Sequence, residues 1–476
     1  MSTHRPVRFV LFNDCCSGET TDARAGKVSV RRDERETKDE SKMLSRLFDL
    51  LSRATGGPSL SKQGARSLVL WSYLSGSDPS LLAPYIYPLW TAGASYLPAR
   101  WSPNVVTLTG FTLILALYAI VWRTCGMDCS AADGFDTFAG WLYPTVAVLM
   151  WGYQTADAMD GRQGKRVSMY VHPSTELFDH GVDGIVTSIS GISSVALLGL
   201  GTEGHWGITH LCCLWAGFYI TTHEHLVHGK ITFPAGFSNP TEGLVMVVTT
   251  FLVMSVWPQC LETMVVESLS VVGSTPVSLR VKHCLVLSEA ATVLLTLAKN
   301  IWKMVTQRDY LRPSMSVSTA LSYLLPLVTV TAMAHGLSGP HRLSFVALAS
   351  CTNLSILVLI ICEMTKSKFP AVYLSLSFLP GAIAVWVLGD KVLLPVTVLG
   401  LLRLAGRWLN FQRELVHYCG MTGPMALQRW PEKHPNKQRL KDKIPWLVDP
   451  RQDIADGRDE KRDELLVKRE HVELLD

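Results

Sequence analysis

The chain has 476 residues, of which 48% are hydrophobic, and it carries a net charge of +4 at neutral pH. Charged residues are sparse in the middle of the chain and dense at both ends, which is typical of a polytopic membrane protein with polar tails. The small net charge gives no support to a role in binding nucleic acid, and no nucleic-acid partner is expected.

Residues 1–65 are rich in Ser, Thr, Arg, Lys, Asp and Glu, and we predict a largely disordered tail over residues 1–75. Residues 80–101 are apolar and aromatic but are interrupted by prolines. Their Trp and Tyr side chains suit the headgroup layer of a bilayer, so this segment is predicted to be an N-terminal interfacial helix. A buried core helix is the alternative and is almost as well supported.

Ten apolar segments follow, and each is long enough for the roughly 20 residues that cross the hydrocarbon layer. They predict an all-α polytopic membrane protein with about ten transmembrane helices. The sixth is the weakest because Lys282, His283 and other charged residues lie in or beside it. We place the spans at residues 105–122, 140–157, 184–201, 206–222, 243–259, 282–299, 317–336, 344–362, 371–388 and 391–408.

An even number of spans puts both tails on the same side of the membrane. Lys and Arg residues follow Arg429 and also lie between the second and third spans, which favours the cytosol for that side. The chain then divides into the N-terminal tail over residues 1–75, a transmembrane domain over residues 76–420 and a charged cytosolic tail over residues 421–476.

Eleven cysteines are scattered along the chain, several of them within apolar segments. Cys125 and Cys129 are close enough in sequence to form a disulfide bond. The odd number of cysteines and the lack of a CxxC pair favour reduced thiols, which is what we expect here.

The segment DAMDGRQGKRVSMYVHPSTELFDHGVD (residues 157–183) carries two pairs of aspartates beside apolar spans. The spacing places Asp157 and Asp160 on one helix face, and Asp179 and Asp183 on another. Carboxylates that converge near a bilayer are costly unless a cation neutralises them, and oxygen-only ligands favour Mg²⁺ or Mn²⁺. The alternative is a pair of exposed acidic helix faces.

Between the two pairs lie basic and small residues that suit a phosphate group. Arg162, Lys165 and Arg166 supply positive charge, and we assign them to a loop between the second and third spans. Gly161 and Gly164 leave the backbone open to close approach by a ligand, and a simple turn is the alternative.

A candidate proton acceptor follows the third aspartate. His180 lies four residues after Glu176, so a carboxylate on the same helix face orients its imidazole ring. Asp183 is the rival base, although a bound cation makes a carboxylate a poorer proton acceptor. Alternatively, His180 only holds Asp179 or a phosphate.

This segment resembles the signature of the CDP-alcohol phosphotransferases, which reads DxxDGxxAR, eight residues, GxxxDxxxD. QTADAMDGRQGKR and ELFDHGVDG are similar to the choline/ethanolamine phosphotransferase branch of this class-I family. LPARWSPNVVTLTGF (residues 97–111), FSNPTEG (residues 237–243) and, more weakly, THEHLVHG (residues 222–229) extend the resemblance.

The resemblance implies transfer of phosphoethanolamine or phosphocholine from CDP-ethanolamine or CDP-choline to diacylglycerol or an ether-linked analogue, with release of CMP. It also implies an endoplasmic reticulum membrane, with the Golgi as the alternative, an active site that faces the cytosol, and a homodimer. The sequence does not rank choline against ethanolamine.

The resemblance also implies roles for individual residues. His180 is the proton acceptor of this branch, whereas elsewhere in the family the fourth aspartate takes that role. Asn104 and Gly161 contact the CDP portion. Two Mg²⁺ or Mn²⁺ ions are bound by the four aspartates, which are Asp157, Asp160, Asp179 and Asp183.

This chain departs from the family pattern at the phosphate-binding positions. Gly164 and Lys165 stand where the family has Ala-Arg, Thr175 replaces a glycine, and the spacer is one residue longer. Lys lacks the bidentate fork of Arg, a loss that Arg166 could make good. The departures leave a non-catalytic family member as an alternative function, beside a transporter and a membrane prenyltransferase.

HEHLVH (residues 223–228) raises the question of a zinc site. It lacks the HExxH order, and His223 and His225 do not share a helix face. We therefore predict a polar loop that lines the entrance for the acceptor.

Overall fold

The computed structural model describes most of the chain from residue 60 onward. Predictions for the N-terminal residues before that point, and for nearly all of the C-terminal tail, lie outside the described residues. The described residues are 60–69, 71, 79–167, 173–230, 239–269, 277–307, 309–312, 315–336, 342–419, 421 and 425–426.

The described residues form a helical protein with one short antiparallel hairpin. The helices are α1 (Lys62–Val69), α2 (Ala83–Tyr96), α3 (Pro103–Cys125), α4 (Phe135–Arg166), α5 (Pro173–Leu197), α6 (His205–His228), α7 (Pro240–Val256), α8 (Val281–Thr306), α9 (Val317–Ser322), α10 (Leu325–His335), α11 (Arg342–Thr365), α12 (Ala371–Leu388) and α13 (Leu393–Cys419). The strands are β1 (Met264–Leu269) and β2 (Val277–Arg280), which the sequence did not predict.

Helices occupy the positions of all the predicted spans, which supports an all-α membrane protein. Five stretches of the described chain are long and apolar enough to cross a bilayer: Pro103–Cys125, Val281–Thr306, Val317–His335, Arg342–Thr365 and Ala371–Cys419. The protein is therefore a multi-pass membrane protein, while the count of ten spans stays a prediction.

The core of the protein lies around α11. In the most apolar 18-residue stretch of this helix, 83% of the residues are buried. The helix packs against α5, α6 and α13. The α3 and α4 helices approach each other closely at Gly110, which has no side chain. A Cβ added there would lie only 2.9 Å from Ala156 Cβ. The Tyr143 hydroxyl on α4 donates a hydrogen bond to the Leu197 carbonyl at 2.9 Å and so joins α4 to the end of α5.

A described helix lies inside the segment predicted as the N-terminal tail. The α1 helix buries Ala65 and Leu68 and packs against α11 and α13. Just after it, the buried Trp71 donates its indole N–H to Glu363 Oε2 on α11 at 2.7 Å.

The α2 helix lies where the interfacial helix was predicted. Tyr85, Leu89 and Tyr96 expose 76%, 68% and 87% of their surface, whereas Trp90 and Ala94 are buried, so a position at the membrane interface stays a prediction.

Cys125 and Cys129 form a disulfide bond at the end of α3, so the prediction of reduced thiols is wrong for this pair. The turn between them is fixed by the protein around it. The Cys129 N–H donates to the Ala196 carbonyl at 2.9 Å, and Asp128 accepts a hydrogen bond from Thr202 Oγ1 at 2.7 Å. These contacts fix the backbone of the turn, and they join it to residues about 70 positions away in the sequence.

Two of the charged residues that weakened the sixth predicted span, Lys282 and His283, lie at the first turn of α8. Lys282 is buried, and its Nζ lies 2.7 Å from Glu203 Oε1 and 2.6 Å from Glu262 Oε1. His283 is hydrogen-bonded to Glu203 and stacks on Trp206. Lys282 and His283 are thus paired with carboxylates before the apolar part of the helix begins, and Glu289, within the helix, is paired with His210 at 2.7 Å.

Replacing Lys282 by Met should lower the free energy of unfolding by roughly 2 kcal/mol. Loss of one partner from a buried ion pair typically costs about 3–5 kcal/mol, and the partial exposure of Glu203 and Glu262 reduces that figure. The apparent Tm in detergent measures the effect. The matched control is Lys299→Met, an exposed position on the same helix, where little change is expected. Equal Tm values for the two variants would contradict the prediction.

This cluster also predicts a sensitivity to acid. Burial alone would raise the pKa of Glu203, but the hydrogen bonds from Lys282 and His283 outweigh it and hold the pKa below its usual value. A carboxylate of this kind adds stability above its unfolded pKa, near about 4.3 for Glu, and the added stability is lost as the pH falls through the folded pKa. The apparent Tm of the wild type should therefore drop more steeply below about pH 4.5 than that of Glu203→Gln. If the apparent Tm of the two proteins fell equally with pH, the prediction would be wrong.

Candidate functional site

The acidic segment is carried by the end of α4 and the beginning of α5. The α4 helix continues past Asp160 through Gly161 and Gly164 to Arg166, so the basic residues lie on its last two turns. The prediction of a loop there is wrong. Glycine costs a helix about 1 kcal/mol, and contacts between these turns and α2 offset that cost.

Three aspartates from the two helices converge. One carboxylate oxygen from each of Asp157, Asp160 and Asp179 lies within 4.8 Å of the others. Asp160 is buried, and its Oδ2 accepts a hydrogen bond from Thr107 Oγ1 at 2.5 Å. The buried Oδ1 of Asp157 has no hydrogen-bond partner among the described residues.

Asp183 lies one turn along α5 and completes the acidic group. Its Oδ1 accepts a hydrogen bond from the Tyr153 hydroxyl at 2.6 Å, and its carboxyl group also contacts that of Asp157. Together the four side chains present only oxygen atoms. This donor set fits a hard divalent cation such as Mg²⁺ or Mn²⁺.

The Glu176–His180 pair lies beside the acidic group on α5. Glu176 Oε1 is 2.9 Å from His180 Nδ1, and the two side chains are 3% and 19% exposed. An ionised Glu176 accepts the hydrogen of Nδ1, so the neutral ring keeps its lone pair on Nε2. Because His180 is the more exposed of the two, its ring can reach a ligand while Glu176 stays buried.

The basic residues at the end of α4 have different surroundings. Arg162 lies 4.6 Å from the ring centroid of Tyr87 and donates a hydrogen bond to Thr91 Oγ1 at 3.1 Å. Arg166 donates to the carbonyls of Ser95 and Leu97. Both arginines therefore bind α2 and the turn after it.

The remaining predicted contacts lie around the acidic group. Asn104 is fully buried on the first turn of α3, one turn before Thr107. A Cβ added at Gly161 would meet nothing within 4 Å, so a ligand has room there. Gly164 is buried and Lys165 is exposed.

Sequence reasoning missed Thr107 and Tyr153. Each lies on the same helix face as a predicted residue: Thr107 comes three positions after Asn104, and Tyr153 four positions before Asp157. This spacing could have identified both residues from the sequence. It places a hydroxyl donor beside a predicted ligand.

The HEHLVH segment is the last part of α6, so the prediction of a loop is wrong. His223 is hydrogen-bonded to the Ala320 carbonyl at 2.9 Å, and His228 to the Tyr310 carbonyl at 2.7 Å. Glu224 accepts a hydrogen bond from Asn300 at 3.2 Å. His223 and Glu224 are buried by helix packing and His228 is partly buried, while His225 lies beside His180, with 6.5 Å between the ring centroids.

No family model matches the chain. Among curated proteins, an uncharacterized CDP-alcohol phosphatidyltransferase class-I family protein of Schizosaccharomyces pombe is 32% identical over 201 residues, 41% of this chain and 49% of that protein. A cholinephosphotransferase of Saccharomyces cerevisiae is 31% identical over 193 residues, with shares of 40% and 46%. A choline/ethanolaminephosphotransferase of Arabidopsis thaliana is 28% identical over 277 residues, with shares of 56% and 66%.

The resemblance to the CDP-alcohol phosphotransferases is confirmed. This chain spans about half to two thirds of the length of these relatives.

The structure shows where the residues that differ from the CDP-alcohol phosphotransferase signature lie. Lys165, which stands in place of the family's arginine, is exposed at the end of α4. The neighbouring Arg166 would have to leave its carbonyl partners on the α2 side to bind a phosphate. The exposed Lys165 therefore lies at the rim of the acidic group, Gly164 is buried beside it, and all four aspartates are retained.

Proposed function

We propose that this protein is an integral membrane CDP-alcohol phosphotransferase. It moves phosphoethanolamine or phosphocholine from CDP-ethanolamine or CDP-choline to the hydroxyl of diacylglycerol or an ether-linked analogue. The observation that carries the proposal is the convergence of Asp157, Asp160 and Asp179 within 4.8 Å beside the Glu176–His180 pair. The names of the relatives support the same chemistry.

The four aspartates would hold two Mg²⁺ or Mn²⁺ ions. Such ions would supply the positive charge that binds the diphosphate and neutralises the charge on the departing CMP. Thr107 and Tyr153 orient the ligands by donating hydrogen bonds to Asp160 and Asp183.

His180 is the proposed proton acceptor. The acceptor's hydroxyl oxygen attacks the phosphorus atom that carries the alcohol, and the hydroxyl proton passes to Nε2 of His180. The bond from that phosphorus to the bridging oxygen breaks, and CMP leaves with the electron pair. Glu176 stabilises the resulting imidazolium through Nδ1. Asp183 is held by Tyr153 and is the rival base.

The nucleotide end of the donor would lie against the first turn of α3 and the last turns of α4. Asn104 and the open backbone at Gly161 suit the CDP portion, and Gly164 allows close packing beside it. Lys165 and Arg166 supply positive charge at the rim.

The disulfide bond supports an active site on the cytosolic side. The α3 helix begins at Pro103, beside the acidic group, and ends at Cys125, roughly 35 Å away at 1.5 Å per residue. Disulfides persist in oxidising compartments, so the bond supports a lumenal position for the Cys125 end and a cytosolic position for the acidic end. We propose ten spans in this orientation, the endoplasmic reticulum membrane and a homodimer by analogy with the family.

A transfer assay in liposomes tests the proposal. Labelled CDP-ethanolamine and CDP-choline are supplied separately with diacylglycerol and Mn²⁺ or Mg²⁺. We expect metal-dependent phospholipid formation, and the more active donor identifies the headgroup. Failure of a folded, membrane-inserted protein to form product from either donor would contradict the proposal and favour a non-catalytic family member.

A further inference from the structure

A second group of metal-ligating side chains lies beside the acidic group. Glu176 and His180 on α5 and His225 on α6 each offer one ligand atom, and the three atoms lie within 4.8 Å of one another. Glu176 Oε1 is 2.9 Å from His180 Nδ1 and 3.8 Å from His225 Nδ1. In a tetrahedral zinc site with bonds of about 2.0–2.1 Å, ligand atoms lie about 3.4 Å apart. The observed separations bracket that value.

The second ring nitrogen of His225 lies near a carboxylate, as is usual for a histidine that binds a metal. Its Nε2 lies 3.9 Å from Glu363 Oε1 on α11. A histidine that binds a metal through one nitrogen usually directs the N–H of the other towards a carboxylate, which fixes the ring. Glu363 is itself fixed, because its Oε2 accepts a hydrogen bond from the Trp71 indole at 2.7 Å.

The nearby cations do not exclude a metal ion. Arg312 lies 2.8 Å and Lys366 2.6 Å from Glu363 Oε1, so both positive charges are directed at this carboxylate. With the histidines neutral, Glu176 and Glu363 balance Arg312 and Lys366. A zinc ion at this position would therefore meet no net positive charge from these four groups.

The ligand types separate this group from the acidic group. Two imidazoles and one carboxylate with an open position suit Zn²⁺ and similar transition metals. The aspartates offer oxygen alone, which suits Mg²⁺ or Mn²⁺. The two groups would therefore select different ions.

We propose that Glu176, His180 and His225 form a second metal site that binds Zn²⁺, and that zinc bound there inhibits the transfer reaction. The inhibitory part rests on the proposed function of His180 as the proton acceptor. Zinc takes the place of the hydrogen on Nδ1, and that hydrogen passes through water to Nε2, so the ring stays neutral and no net proton is released. The neutral ring then carries its hydrogen on Nε2 and has no lone pair to accept a proton from the acceptor's hydroxyl group.

Binding is measured on the full chain in detergent, with excess Mg²⁺ present to occupy the aspartates. Zn²⁺ is titrated by calorimetry, and Co²⁺ serves as a spectroscopic probe of the coordinating atoms. We expect one zinc ion per chain, and a loss of affinity of at least about 100-fold in His225→Gln. The control is His228→Gln, because His228 lies on the same helix but is hydrogen-bonded to Tyr310. Equal zinc affinity in His225→Gln and the wild type would overturn the site.

Inhibition is measured as the transfer rate with zinc divided by the rate of the same variant without zinc. We expect the zinc concentration for half-inhibition to rise about 100-fold in His225→Gln and to stay unchanged in His228→Gln. If zinc inhibits by displacing Mg²⁺ from the aspartates, His225→Gln remains as sensitive as the wild type, and the inhibitory role is overturned. A wild type that transfers nothing contradicts the proposed function, and the binding measurement then still decides whether the metal site exists.

Discussion

Asp179→Asn is expected to reduce the rate of transfer about 10³-fold. The variant removes a charged oxygen from the three that lie within 4.8 Å of one another. A metal ion can provide several kcal/mol of charge stabilisation in the transition state, and each 1.4 kcal/mol or so is worth a factor of ten in rate. Initial rates with saturating donor and a range of Mn²⁺ concentrations measure the loss.

A second measurement separates this effect from misfolding. A ligand that binds only the folded protein raises Tm, so Mn²⁺ should stabilise the wild type. Asp179→Asn should keep a normal Tm in chelator, because the substitution relieves repulsion among the aspartates, yet gain little from Mn²⁺. The control is Asp136→Asn, an exposed position at the start of α4 that should behave as the wild type. Full activity in Asp179→Asn would rule out this aspartate as a metal ligand.

His180→Gln should reduce kcat by about 10²–10⁴-fold, the range typical of a lost general base. Its partial exposure and the 2.9 Å contact with Glu176 support that role. Unlike Asp179→Asn, this variant should keep the stabilisation by Mn²⁺, because all four aspartates remain. Part of the lost rate should return at high pH, where hydroxide can accept the proton.

Two comparisons make this result specific. Glu176→Gln should show a smaller loss than His180→Gln, since the ring remains but loses the carboxylate that stabilises its charged form. His228→Gln, on α6, should leave kcat unchanged. If His180→Gln retained the wild-type kcat, the role of base would pass to Asp183.

The aspartate positions were predictable because they depend on local spacing alone. Residues three and four apart share a helix face, so the two pairs were expected to present their carboxylates together. The continuation of α4 through Gly161 and Gly164 was not predictable, because the contacts of Arg162 and Arg166 with α2 stabilise it. Those contacts join residues about 70 positions apart in the chain.

The charged residues of the sixth predicted span show a similar limit. Lys282 and His283 weakened the prediction because hydropathy counts each charge as unpaired. In the structure their partners are Glu203 and Glu262, which lie outside the apolar windows. Likewise, Trp71 is fixed by Glu363, 292 residues further along the chain, a separation that no local pattern covers.

The attachment of α2 to the end of α4 has a consequence for the dependence of this protein on its lipid environment. Arg162 and Arg166 tie α2 to the turns that follow Asp157 and Asp160. With α2 at the headgroup level, as the sequence predicts, a change in lateral pressure or curvature that moves this helix would also move the aspartates. Turnover should therefore vary with the spontaneous curvature of the vesicle, even when the concentrations of donor and acceptor are held constant.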